Sequence, residues 1–190
     1  MSGDWLKVDS WQSSVGSNCK LPTAKLGYRP TTRDSGLIDR TVQIAGRTFL
    51  VTGGASGIGA ATARKLATAG GNVVICDIGA EHRSKLAVEL GARGLFATAD
   101  VTDETQVAQA VGAARQRFGA LHGAVSCAGI TPGERVLRKG GPHRLDNFRR
   151  AVEINFVGTF NVLRLAAQAM ERYAPDAEGE RGVIINTASI

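Results

Sequence analysis

The sequence predicts an α/β fold, a doubly wound parallel sheet with helices on both faces. Three observations carry this. From Arg47 onward, short apolar runs alternate with longer helical patterns, as βαβ crossovers require. The runs are continuously apolar rather than alternating, as in Val183-Ile184-Ile185, which suits strands buried on both sides. The first run, Phe49-Leu50-Val51-Thr52, enters a glycine-rich turn, Gly53-Gly54-Ala55-Ser56-Gly57-Ile58-Gly59, that opens an alanine-rich helix.

Taken in order, the strands are expected near 47–52, 72–77, 94–98, 121–126 and 182–188. The helices are expected near 57–70, 80–91, 103–118 and 145–173. The last helix has the clearest period. Leu145, Phe148, Val152, Phe156, Thr159, Leu163, Ala166 and Met170 recur at three- and four-residue steps and should pack on the sheet. Pro175, Asp176 and Gly179 then break it.

Residues 1–45 differ from the rest. They hold both tryptophans, Trp5 and Trp11, many Ser and Thr, and no sustained periodicity. They read as a mostly disordered or non-native leader to a nucleotide-binding domain at 46–190, with a natural start near Val42. A mitochondrial transit peptide is the lesser reading, because Asp4, Asp9, Asp34 and Asp39 are present where such peptides are poor in acids.

Composition narrows the function. The chain has 190 residues, enough for one domain with a real core, and no apolar stretch long enough to cross a bilayer. Its three cysteines (Cys19, Cys76, Cys127) are odd in number and lack metal-ligand spacing, and its three histidines are scattered. This favours a reducing compartment and no metal. The net charge of +6 does not line one helix or interleave with aromatics, so nucleic acid is not the expected partner. High Ala, Gly and Arg content suggests a GC-rich source and the cytoplasm, with the mitochondrial matrix second.

The glycine turn is the chemical centre. Glycine tolerates positive φ and close ligand approach, and a helix N-terminus suits phosphate. Asp77 closes the second run, Asn72-Val73-Val74-Ile75-Cys76, at the distance a dinucleotide ribose site requires. The alternative is a plain tight turn with a loop-capping Asp. Asp100-Val101-Thr102 follows the third strand, where a carboxylate could accept from an adenine amino group, or Thr102 could cap the next helix. Ser126-Cys127-Ala128-Gly129 follows the fourth, where small residues let a cofactor pass.

With Asn155 in Ile154-Asn155-Phe156-Val157-Gly158-Thr159 and the segment Ile184-Ile185-Asn186-Thr187-Ala188-Ser189, these motifs resemble the short-chain dehydrogenase/reductase family. Within it they resemble the 3-hydroxyacyl-CoA dehydrogenase type 2 group. The likeness runs from about Arg47 to the last residue. It implies a Rossmann-type fold and NAD-dependent hydride transfer to or from a secondary alcohol. A 3-hydroxyacyl-CoA is preferred over a steroid alcohol or an acyl-carrier-protein thioester. It implies that Gly53, Ser56, Gly57, Ile58 and Gly59 line the pyrophosphate and ribose. Asp77 would take the adenine-ribose hydroxyls and favour NAD over NADP. Asp100 and Val101 would border adenine, and Cys127, Ala128 and Gly129 the nicotinamide side. Asn155 would support a proton relay, and Ser189 would bind the substrate oxygen. A homo-oligomer and a small-molecule substrate, with no membrane, complete the expectation.

The chain departs from the family twice. Ser126 stands where Asn is usual, which predicts a weaker fourth strand. No Tyr-x-x-x-Lys follows Ser189, and neither Tyr28 nor Tyr173 has Lys four residues on. An unassisted phenol titrates near 10, far from a working pH. The expectation is a C-terminally truncated chain, inactive alone or a nucleotide-binding remnant, its sheet incomplete and bare along 182–188. Arg135, Arg138, Lys139, His143, Arg144, Arg149 and Arg150 form a basic segment that could receive coenzyme A phosphates, or be an ordinary solvated loop.

Overall fold

The computed structural model describes residues 8–11, 43–79, 83–177 and 179–188. Five strands fall where the apolar runs predict: β2 (Thr48–Thr52), β3 (Asn72–Asp77), β4 (Gly94–Thr98), β5 (Gly123–Ser126) and β8 (Val183–Thr187). A further strand, β1 (Val8–Trp11), precedes them, and β6 (Leu137–Arg138) with β7 (Gly141–Pro142) forms a small separate hairpin. The helices are α1 (Gly57–Thr68), α2 (Arg83–Leu90), α3 (Glu104–Phe118), α4 (Leu145–Val152) and α5 (Thr159–Glu171).

The main sheet has six parallel strands in the order β1-β8-β5-β2-β3-β4. Register assigns each row of side chains to one face. Val74, Leu50, Ala124 and Ile184 stand side by side and pack under Val107, Ala110, Val111 and Ala114 of α3 and Val162, Ala166 and Met170 of α5. One residue along, Ile75, Val51, Val125 and Ile185 face the other way, onto Ala60 and Ala63 of α1 and Leu86 of α2. Strands buried on both faces must be apolar at every position, which is why they read as unbroken runs. Burying each Leu or Ile contributes about 1.5–3 kcal/mol.

The chain runs from β2 outward to β3 and β4, then crosses back to β5 and β8 on the other side. This reversal leaves a crevice beyond the C-terminal ends of β2 and β5, where open α/β sheets bind ligands.

Three expectations need correction. The edge of β8 is not bare, because β1 pairs with it in register from Val8 opposite Ile184 to Trp11 opposite Thr187. Val8–Trp11 lies within the segment read as a mostly disordered or non-native leader; a four-residue strand is too short to show a period. Residues 1–7, 12–42 and 80–82 lie outside the description, and with them Cys19, the proposed start at Val42 and the first turn expected of the second helix.

The last helix is not one amphipathic rod. A π-helical segment, Glu153–Gly158, joins α4 to α5. Of the expected stripe, Ala166 and Met170 are buried and Thr159 and Leu163 half-buried, while Leu145, Phe148, Val152 and Phe156 are 57%, 57%, 39% and 74% exposed. A π turn adds a residue and rotates the face that precedes it. α4 accordingly rests chiefly on the π segment, while α5 packs on α3, β5 and β8.

Asp103, not Thr102, caps α3. Its carboxylate accepts from Gln106 N at 3.0 Å, and that N–H bond leads the effects holding the acid below its ordinary range. Gln106 Oε1 accepts in return from Asp100 N at 3.0 Å.

Candidate active site at the sheet crevice

The glycine turn is shaped by contacts that exclude side chains. Gly53 has φ +60°, and a Cβ there would lie 2.9 Å from the Ala128 backbone, so the loops after β2 and β5 touch. A Cβ on Gly59 would run into the Gly53 carbonyl oxygen, so α1 starts directly beneath the turn. The first turn of α1 carries no acid, and the N-cap Ser56 makes no capping bond with its side chain. The helix terminus therefore presents N–H groups and an uncommitted hydroxyl, a donor set that matches phosphate. Ile58, at the same end, is 72% exposed.

Asp77 ends β3 beside this turn. Its Oδ2 accepts from Ala55 N at 3.0 Å and its Oδ1 from Gly79 N at 3.1 Å. Each carboxylate oxygen has a second lone pair, so the group braces the turn and can still accept from ribose hydroxyls. A cradle that a Cβ would fill, a helix N-terminus and a carboxylate one strand away fit a dinucleotide.

On the far side of β2, Thr52 forks across the gap. Its Oγ1 accepts from Cys127 N and Ala128 N, both at 3.2 Å, and its carbonyl accepts from Cys127 N at 3.2 Å. Sequence reasoning missed Thr52. Its one signal was a hydroxyl directly before the glycine turn, at the end of the apolar run Phe49-Leu50-Val51. Cys127 is half-buried, and burial raises its thiol pKa, with a bond from Thr62 pulling the other way. Cys76 is pushed up to about 12 by burial, then by the nearby Asp77 and Asp100 charges. Neither is a thiolate nucleophile at neutral pH.

Asn155 sits in the π segment, where helical irregularity often marks function. Its Oδ1 accepts from Ile130 N and its Nδ2 donates to Ile130 O, both at 2.8 Å. The amide thus clamps the loop that follows Gly129, and a Cβ on Gly129 would lie 3.3 Å from Asn155 Oδ1. Thr159 Oγ1 donates to Asn155 O at 2.8 Å.

Asp100 and Val101 lie at the end of β4. Asp100 Oδ1 accepts from both Thr102 N and Thr102 Oγ1, at 2.9 and 2.8 Å. The Val101 side chain is buried against Gly158, and its carbonyl accepts from Asn161 Nδ2 at 2.8 Å. Ser126 is buried, its hydroxyl has no partner among the described residues, and neither has Oδ1 of Asn186, its in-register neighbour. Ser189 lies outside the described residues.

Gly53, Ser56, Gly57, Ile58, Gly59, Asp77, Asp100, Cys127, Ala128 and Gly129 thus all stand at or just beyond the C-terminal ends of β2, β3, β4 and β5, with Asn155 of the π segment held against the loop after Gly129. Among the described residues, no group of three metal-binding side chains occurs, and no helix is long and apolar enough to cross a membrane.

In the basic segment, Glu134 takes Arg144 at 2.8 Å and lies 3.6 Å from His143. Asp146 takes Arg149 at 3.2 Å. Arg135, Lys139 and Arg150 are exposed with no acidic partner among the described residues.

A family model described as short chain dehydrogenase matches residues 47–190. The chain is 45% identical over 143 residues to a 3-hydroxyacyl-CoA dehydrogenase type-2 of Drosophila melanogaster, covering 74% of this chain and 56% of that protein. It is 44% identical over 149 residues to the Homo sapiens protein of that name, covering 77% and 57%. A crystal structure of 3-hydroxyacyl-CoA dehydrogenase type-2 from Mycobacterium avium superposes with a TM-score of 0.72 at 38% identity, covering 78% of this chain and 59% of that one. The chain thus spans little more than half the length of these relatives. The turn after β2, the doubly wound sheet and these matches together place the chain in the short-chain dehydrogenase family.

Proposed function

We propose that the protein is an NAD-dependent oxidoreductase that moves a hydride between a secondary alcohol carbon and the nicotinamide, with a 3-hydroxyacyl-CoA as preferred substrate. The observation that carries the reading is Asp77, held against the glycine turn by Ala55 N and Gly79 N. A carboxylate fixed there accepts ribose hydroxyls and repels a 2′-phosphate, which favours NAD over NADP. NAD, when bound, supplies the hydride acceptor. The α1 terminus and Ser56 bind the pyrophosphate, and Asp100, Val101 and the 127–129 loop flank the adenine and nicotinamide sides. Asn155 acts as a positioning residue: it orders the 127–130 loop and so supports the proton relay. Ser189 orients the substrate oxygen.

The hydroxyl proton must leave to a base, and no Tyr-x-x-x-Lys occurs in residues 1–190. The second reading is a nucleotide-binding chain without turnover. Substrate alternatives are a steroid alcohol and an acyl-carrier-protein thioester. The exposed Arg135, Lys139 and Arg150 support a CoA phosphate contact. The exposed Phe148, Phe156 and Phe160 support a homo-oligomer. We place the protein in the cytoplasm on composition.

Titrating the chain with NAD and NADP tests the core of the reading. NAD should bind at least about tenfold tighter, a 1.4 kcal/mol difference, and Asp77→Ala should erase the preference. Equal affinities for the unaltered chain would overturn it. Oxidation of a short 3-hydroxyacyl-CoA with NAD then separates the two readings. Charge reversal at Arg135 and Arg138 should weaken a CoA thioester much more than its pantetheine analogue.

A further inference from the structure

One helical unit holds two different loops of the crevice. The π segment Glu153–Gly158 runs straight into α5, and each contributes an asparagine that grips the backbone of another element. Asn155 holds Ile130 by its N–H and its carbonyl, both at 2.8 Å, just past residues 127–129. Asn161, the third residue of α5, donates from Nδ2 to Val101 O at 2.8 Å, in the turn between β4 and α3. Asn161 is only 6% exposed, and a buried amide that loses a partner leaves a polar group stranded. Gly158 seats the same turn. A Cβ there would lie 2.5 Å from Val101 Cγ2 and 3.1 Å from Val101 Cβ.

The direction of the Asn161 amide is set from its other side. Its Oδ1 accepts from Arg164 Nε at 3.2 Å and from Arg164 Nη2 at 2.8 Å. A guanidinium only donates, so the amide oxygen faces Arg164 and the amide nitrogen faces Val101. Arg164 Nη2 also pairs with Glu104 Oε2 at 2.8 Å, at the first residue of α3. Gln106 of α3 accepts from Asp100 N at 3.0 Å. The Asp100–Thr102 turn is thus held from α3 and from α5 at once. A turn ordered before binding spares a ligand the cost of ordering it.

We propose that Asn161 is a positioning residue for the adenine end of the dinucleotide, as Asn155 is for the nicotinamide end, with Arg164 fixing which way its amide points. This rests on the dinucleotide reading of the crevice. The Asn161 amide is committed to protein on both sides, so it acts through the Asp100–Thr102 turn. Losing its bond to Val101 frees that turn and leaves the 127–130 loop in place. The two halves of the cofactor therefore respond separately.

The test uses the full chain and Asn161→Asp, which is nearly the same size. The carboxylate still accepts from Arg164 but cannot donate to Val101 O. Hydrogen exchange is followed by NMR without ligand. The amides of Ala99, Asp100, Thr102 and Asp103 all have acceptors and should exchange about tenfold faster in the variant, while those of 48–52 and Ile130 stay unchanged. AMP and nicotinamide mononucleotide are then titrated separately. Affinity for AMP should fall about fivefold, and that for nicotinamide mononucleotide by no more than about twofold. Unchanged exchange at 99–103, or equal losses for the two nucleotides, overturns the proposal. If Asn161→Asp does not fold, Arg164→Gln decides, because Arg164 is 40% exposed. It should speed exchange at 99–103 about threefold and weaken AMP alone, and no change in either overturns the proposal. An unaltered chain that binds neither nucleotide nor NAD overturns the dinucleotide reading and the adenine role with it. Binding by the unaltered chain without the split in the variant overturns the adenine role only.

Discussion

Replacing Gly59 by alanine should destabilise the fold and the crevice, although the same change in a helix normally helps. Gly59 is the third residue of α1, and alanine gains about 1 kcal/mol over glycine at an ordinary helical site. Here the new methyl would run into the Gly53 carbonyl oxygen and lie 2.7 Å from the Gly53 carbonyl carbon and 3.0 Å from Gly54 Cα. These are backbone atoms of a tight turn and cannot rotate aside. Forcing one carbon into such a space costs about 1–3 kcal/mol. The net effect should fall between no change and a loss of about 2 kcal/mol, and the turn must shift away from α1. Gly112 is the control. It lies inside α3 with nothing within 4 Å of a built Cβ. Gly112→Ala should raise Tm by about 2–4 °C. Thermal unfolding by circular dichroism reads both signs, and NAD titration reads the turn, with affinity in Gly59→Ala expected to fall about tenfold or more, some 1.4 kcal/mol. If Gly59→Ala raises Tm as Gly112→Ala does and leaves binding intact, the close seating of the turn on α1 is wrong.

Thr52→Val keeps the shape of the side chain but removes the acceptor for Ala128 N, and urea unfolding should show a loss of about 1–3 kcal/mol. Ser126→Ala removes a buried hydroxyl that has no protein partner among the described residues, so the same assay should show no loss, or a gain of up to about 1 kcal/mol. His122 carries a pH dependence. Burial, then the Arg47 charge, lowers its pKa, and its Nδ1 accepts from Thr48 N at 3.0 Å, which requires that nitrogen unprotonated. The unfolded chain then binds the proton more readily. Stability should fall as pH drops through about 6.5 and level off below the folded value, and His122→Asn should flatten that slope in pH-dependent denaturation.

Much of this protein is legible in one dimension. Strands buried on both faces must be apolar throughout, so five of the six sheet strands announce themselves as runs. The glycine turn, Asp77 and the small residues after β5 are legible because a turn seated this closely on the next helix and loop dictates both residue type and spacing. What the sequence could not decide depends on partners distant in the chain. Val8–Trp11 becomes a strand only because β8, more than 170 residues later, offers an edge; backbone pairing leaves no side-chain signature. The stripe from Leu145 to Met170 is periodic, yet which part of it is buried follows from a π turn set in three dimensions. Thr52 matters through the loop it holds, and Asn155 through its two bonds to Ile130. Local pattern determines which segments are helix or strand and which turn can hold a phosphate, because those depend on neighbours in sequence. Which edge is covered, which face is wet and which amide braces which loop are decided only when packing brings remote backbone groups within hydrogen-bond distance.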